Sequence, residues 1–158
     1  MVSLLAACGL QGAGEDPLTD EHPDPRAVRG SDPDISLDQA LQDLRFDLPP
    51  GAGQVRFKSR NDSAPYYLNL TFTVPCRQVT EVVQDNDLID LRQADGPHSI
   101  GEDALKRAAE AVGVQVPSGP SLRFYASKSD LATYKRGALH FALDGSSCRF
   151  VAAVEDYG

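Results

Sequence analysis

The chain of 158 residues has no tryptophan, one methionine, three cysteines and three histidines. Each scarcity, and each missing pattern, excludes something. No apolar run approaches the ~20 residues of a membrane-spanning helix. Basic residues number 15 against 23 acidic ones, for a net charge of −8, and they are scattered, so the clustered cations that track a nucleic-acid backbone are missing. There is no Cys-x-x-Cys, and two distant cysteines with scattered histidines lack zinc-ligand spacing. Neither a Gly-x-Ser-x-Gly elbow nor a Gly-x-x-x-x-Gly-Lys phosphate loop occurs, no fixed-period repeat announces a solenoid, and no motif implies a cofactor. What is present, with 41% hydrophobic residues, is the composition of one globular domain.

Charge is unevenly distributed. Residues 1–34 hold seven acids and two bases, for −5, which leaves −3 for the remainder. Between Gly9 and Asp34 the chain carries four glycines, four prolines and almost nothing apolar in period. Such a stretch buries too little surface to offset its ordering entropy, and it reads as a flexible, self-repelling acidic tether over 9–34.

Ahead of the tether, Leu5-Ala6-Ala7 precedes Cys8-Gly9. Small residues beside a scissile bond with an apolar stretch upstream suit a signal-processing site. The quartet Leu5-Ala6-Ala7-Cys8 resembles the lipobox of bacterial lipoproteins. The resemblance covers about the first nine residues and implies that the Cys8 thiol takes a diacylglyceryl group, that cleavage falls just before it, and that the mature protein begins at the lipidated cysteine. No Lys or Arg precedes the apolar run, which is shorter than the ~7–15 residues of an h-region, so translation is expected to start upstream of Met1. Arg outnumbers Lys eleven to four, and Ala, Gly and Pro are plentiful, a bias that resembles the small lipoproteins of high-GC Gram-positive bacteria.

With Cys8 assigned to lipid, Cys76 and Cys148 remain as an even pair, suited to one disulfide in an oxidising compartment. The alternative is two unconnected buried thiols.

From Ile35 onward the periodicity becomes readable. Ser36-Leu37-Asp38-Gln39 is a capping-box pattern, and Leu37, Ala40, Leu41 and Leu44 form a helical stripe that Pro49-Pro50-Gly51 ends. Residues 54–58 and 66–74 alternate with period two about a polar turn, as an antiparallel hairpin does. Pro75 and the spacing of Val79, Val82 and Val83 predict a short helix, with a loop from Asp85 to Pro97. A second capping box at Ser99-Ile100-Gly101-Glu102 opens a helix with Ile100, Ala104, Leu105, Ala108 and Val112 as its stripe and Gly113 as its stop. Strands are expected at 122–126, 139–143 and 148–154, the last two flanking an Asp144-Gly145 turn. The result is an α+β domain over 35–158, a mostly antiparallel sheet of about five strands with helices packed on one face.

Candidates for chemistry are few. His98 and Glu102 are four apart, a spacing that suits an acid–base pair or metal ligation, although the capping box already accounts for Glu102. His140 lies opposite Leu139, Phe141 and Leu143 in an alternating strand and reads as exposed or at an edge, and His22 belongs to the tether without fixed neighbours. Asp85, Asp87 and Asp90 superficially suggest calcium, yet an EF-hand loop begun at Asp85 fails at Ile89, Asp90 and Gly96. Asn61-Asp62-Ser63 and Asn69-Leu70-Thr71 match the glycosylation sequon, which a mid-strand position and a bacterial lipobox discount.

The sequence therefore points to an exported protein, held on the extracytoplasmic face of the cell membrane by lipid on Cys8. Its domain is expected to bind a protein or small molecule rather than transform one, and to bind no nucleic acid. Two other readings are a secreted hydrolase using His98 or His140 with carboxylates from the Asp85 to Asp95 loop, and an adaptor or inhibitor that uses an exposed sheet edge.

Overall fold

Leu68, Leu70, Phe72 and Val74 alternate along one strand, and all four are buried. They lie on one face of a six-stranded antiparallel sheet in a computed structural model of the chain, which describes residues 22–62, 65–93, 100–127 and 134–158. The strands are β1 (Gly53–Arg60), β2 (Tyr66–Pro75), β3 (Leu88–Asp90), β4 (Arg123–Ser127), β5 (Tyr134–Ala142) and β6 (Ser147–Asp156), in the order β1-β2-β6-β5-β4-β3. The helices are α1 (Leu37–Asp43), α2 (Val79–Asp85), entered through a 3-10 turn over Cys76–Gln78, and α3 (Glu102–Ala111). The fold is α+β. The sixth strand, β3, occupies part of the expected loop; three residues are too few to carry a readable alternation.

The helices do not share one face. Phe150, Ala152 and Val154 of β6 join the core that contains Leu37 and Leu44 at α1 and Val82 of α2, whereas Val151 and Ala153 join Leu105, Ala108, Ala109 and Val112 at α3. The sheet is thus covered on both sides. Unbroken apolar runs such as Phe150 to Val154 are the mark of a doubly buried strand. Small residues let the layers approach: a Cβ at Gly137 would lie 3.1 Å from both the Ile100 side chain and the Tyr125 carbonyl oxygen.

Helix ends follow a common rule. Ser36 caps α1 by accepting from the Gln39 N–H at 3.1 Å. At the other end Arg45 adopts φ 54° while Phe46 N–H reaches the Leu41 carbonyl, and α3 ends alike, with Gly113 at φ 74° and Val114 N–H bonded to the Ala109 carbonyl. Both are Schellman closures, so α1 stops well before Pro49. The expected cap of α3 is corrected as well: Gly101 is the N-cap, with no side-chain cap bond, and Glu102 is the first helical residue.

The tether reading does not hold over its second half. Residues 26–32 run beside the free edge of β1, where Ala27 forms a parallel bridge to Phe57, Val28 N–H bonds the Phe57 carbonyl at 2.8 Å and Asp32 N–H bonds the Ser59 carbonyl at 2.7 Å. An edge strand offers unpaired backbone groups, and this segment satisfies them. His22 has fixed neighbours too. Its Nδ1 accepts from Asp24 N–H, its Nε2–H donates to the Ile35 carbonyl at 2.8 Å, and its ring meets Phe57 edge-on.

One buried polar residue ties the layers on the α1/α2 side. The Asn86 side chain accepts from Asp47 N–H at 2.7 Å and donates to the carbonyls of Asp47 and Val82, each at 3.0 Å, while its own carbonyl accepts from buried Arg136. Asn86→Ala strands the Asp47 N–H, and a loss of about 2–3 kcal/mol is expected. Urea denaturation should show a lower midpoint at unchanged slope; an unchanged midpoint would refute the role.

Candidate functional site

Pro75 ends β2 and the chain turns at once into the 3-10 segment, which places Cys76 one step beyond the Pro75↔Ser147 pair. Cys148 sits in β6 opposite Val74. The two cysteines form a disulfide with Cα atoms 4.9 Å apart, closing a separation of 72 residues, within the reach such a bond requires. The β-ladder and the covalent bond therefore hold the same two strands. A cleft of about 530 Å³ opens beside the bridge, bordered by Gly53, Thr73, Arg77 and the Gly145 to Ser147 turn.

His140 is neither exposed nor at an edge. Strand β5 is interior to the sheet, and the imidazole lies in a row of rings that crosses four strands: Phe72 on Phe150 at 5.3 Å, Phe150 on His140 at 5.2 Å, and His140 on Tyr125 at 5.5 Å. Alternation placed the side chain on the correct face with Ala138, but the neighbouring strands decide whether that face is covered. Its Nδ1 is buried without a hydrogen-bond partner among the described residues. Burial, and then the like charge of Arg123, push its pKa down to about 4, against a weaker opposing pull from Asp90. The imidazole is neutral at physiological pH and packs as an aromatic ring.

Carboxylates of the acidic segment are spread over different elements. Asp85 is the last residue of α2, Asp87 occupies a turn at φ 53°, and Asp90 ends β3. The Asp90 carboxylate is engaged by both the backbone N–H and the guanidinium of Arg92. Among the described residues no three of His, Cys, Asp and Glu are grouped as a metal ion requires. Residues 1–21 and 94–99, which hold Cys8, His98 and Ser99, lie outside the described residues.

A second cleft, of about 380 Å³, was not anticipated. It lies on the α3 side of the sheet beyond the helix's C-terminal end and is lined by Arg56, Arg149, Thr71, Gln54, Val114 and Phe141, among others. Arg149 is held by two neutral acceptors: Nη1 donates to Thr71 Oγ1 at 3.1 Å and Nη2 donates to Gln54 Oε1. Thr71 is fully buried, and its hydroxyl donates to the Phe150 carbonyl at 2.8 Å. A β-bulge between Gly53 and Arg56 supplies the third part of the arrangement. There Gln54 takes the left-handed conformation, φ 47°, which is strained for a residue with a side chain. Burial lowers the Arg149 pKa, and the neighbouring Arg56 charge lowers it further. The sequence carries no local signal for this site: Arg56 and Arg149 lack an aspartate two residues away, but so do Arg29, Arg77, Arg107, Arg123 and Arg136.

Two expectations follow. Replacing Cys76 and Cys148 by Ala frees a loop of about 70 residues and is expected to cost roughly 4 kcal/mol, read from denaturation of the oxidised parent and the double variant; equal stability would show that the bond constrains nothing. For His140 the sign is set by a folded pKa below the unfolded value near 6.5. Its contribution is complete above pH 6.5 and is lost as pH falls towards 4. His140→Phe keeps the ring row and removes the titration, so its stability relative to the parent should rise between pH 7 and pH 4, by about 1–2 kcal/mol once solvent screening of the partly exposed ring is allowed for. A pH-independent difference would contradict the burial of the neutral ring.

No protein-family model matches this chain, and neither the curated proteins nor the solved structures yield a match.

Proposed function

We propose that the chain is an exported lipoprotein whose domain is a binding module displayed on the extracytoplasmic face of the cell membrane. The observation that carries this reading is the Cys76–Cys148 bridge, since disulfides persist in oxidising compartments and are rare where thiols are kept reduced. It leaves Cys8 as the single remaining cysteine, placed at the end of the Leu5-Ala6-Ala7-Cys8 quartet that resembles a lipobox. Among the described residues no helix is long and apolar enough to cross a membrane, so acyl chains on Cys8 are the proposed anchor. Two or more acyl chains give stable attachment where one binds only marginally.

Binding is preferred to catalysis because, among the described residues, the candidate groups are not assembled for proton transfer. Neither cleft described above is lined by His140 or by a carboxylate. Strand addition at a sheet edge has little to support it: residues 26–32 cover the β1 edge, and β3 at the other edge has three residues.

In the precursor, Cys8→Ser is expected to abolish incorporation of a labelled fatty acid and to shift the protein out of the detergent phase, with the domain still folded and oxidised. Unchanged labelling and retention in the Cys8→Ser protein would overturn the anchor.

A further inference from the structure

We propose that the cleft beyond α3 binds a small ligand with an oxyanion head and an apolar body, its carboxylate or phosphate group held between Arg56 and Arg149. This deepens the reading of the domain as a binding module and rests on it, but it does not depend on the anchor.

The first support is a charge imbalance. Each described ion pair joins an arginine to an aspartate two residues away: Arg26 to Asp24, Arg60 to Asp62 and Arg92 to Asp90. Other arginines also lack an ion pair among the described residues, but Arg56 and Arg149 are the two that line one cleft, with no carboxylate in its lining. The C-terminal end of α3 faces Arg56, whose Nη1 would come within 3.0 Å of a Cβ at Gly113. A helix end offers only about half a negative charge, against two full positive ones. The cleft stays cationic, and a bound anion would relieve the repulsion between the two guanidiniums.

The second support is preorganisation. Thr71 and Gln54 fix the Arg149 guanidinium through two of its five N–H donors without neutralising it, which leaves three donors for a ligand. Holding Gln54 in the left-handed region is a strain that a simple edge strand has no reason to keep. Its consequence here is that the Gln54 carboxamide points at Arg149. A fixed fork of this kind matches carboxylate and phosphate oxygens bidentately.

The third support is shape. The volume of about 380 Å³ falls in the range of small-molecule sites, roughly 300–1,000 Å³. Next to the arginines, Val114, Phe141 and Leu143 form an apolar wall, and Leu143, 46% exposed, is one of two large hydrophobic side chains left in solvent among the described residues. An ion alone would leave that wall wet.

The test uses the full, oxidised chain. Arginine Nε–H signals are followed by NMR during titration with hexanoate and with hexyl phosphate, with hexanol and inorganic phosphate as controls. Saturable shifts of the Arg149 signal are expected with both amphiphilic anions, and a preference for either supports the site and separates carboxylic acids from phosphate esters as its ligands. Arg149→Gln and Arg56→Gln should each weaken hexyl phosphate binding by about ten-fold or more, and Arg107→Gln, exposed on α3, should leave it unchanged. Arg56 is exposed, so its variant keeps the fold and unaltered affinity there would overturn the proposal. Hexanol binding as tightly as hexanoate, or inorganic phosphate as tightly as hexyl phosphate, would overturn it as well. Absence of saturable shifts with an intact backbone spectrum refutes the ligand class and leaves the anchor at Cys8 standing.

Discussion

Strand β6 is sixth in the chain and third in the sheet, between β2 and β5, and nearly everything else depends on its pairing with β2. The other four strand pairs join neighbours in sequence: β1 with β2, β3 with β4, β4 with β5, and β5 with β6. Three of these close loops of four to six residues, and the β3–β4 pair closes a longer connection that holds α3. The β2–β6 ladder joins residues 72 to 90 apart over ten pairs, and loop-closure entropy weighs most heavily there. The Cys76–Cys148 bond lies at the end of that ladder. It therefore stiffens the one pairing that local sequence cannot favour. Both hydrophobic cores draw on β6, one on each face: the α1/α2 side joins it to β2 and the α3 side joins it to β5, so displacement of β6 would take a wall from each core.

How much could be read from the sequence divides along the same line. The β1–β2 hairpin was legible because period-two alternation and a polar turn are local features. So were the stripes of α1 and α3 and the glycine stop at Gly113. The ends of α1 and α2 were not, because Arg45 and Asp87 occupy the left-handed position that glycine usually marks. Covering of the second sheet face was missed for a related reason. The run from Phe150 to Val154 is apolar at every position, and its two faces become distinguishable only when their partners are known. His140 was assigned to the correct face of its strand and to the wrong environment, since a strand's place in the sheet is a property of its neighbours.

Residues 22–34 show how composition can mislead. Their acids, prolines and glycines lack any apolar period, and a segment without a core-facing stripe predicts no fixed position. Backbone groups need no stripe. An edge strand accepts a partner through its main chain, and the ring of His22 against Phe57 adds a contact that no periodicity reports. Composition carries the reading of a free tether only where nothing offers such an edge.

The two-arginine cleft was illegible for the strongest reason: Gln54 and Arg56, Thr71, Arg149 and the turn after α3 come from four parts of the chain, brought together by the β1 bulge and the β2–β6 register. Their electrostatics also answer an objection raised by the net charge of −8. An acidic protein repels anions at long range, but at physiological ionic strength charges are largely screened beyond about 8 Å. Inside that distance an anion in the cleft meets two guanidiniums, neutral hydrogen-bonding groups and the fractional charge of a helix end. Five of the 23 acids are placed away from the cleft: Asp24, Asp62 and Asp90 hold their own arginines, and Glu102 and Asp103 stand in the first turn of α3, at the opposite end of the helix from it. Net charge then governs solubility and encounter rate, while the local arrangement governs what stays bound.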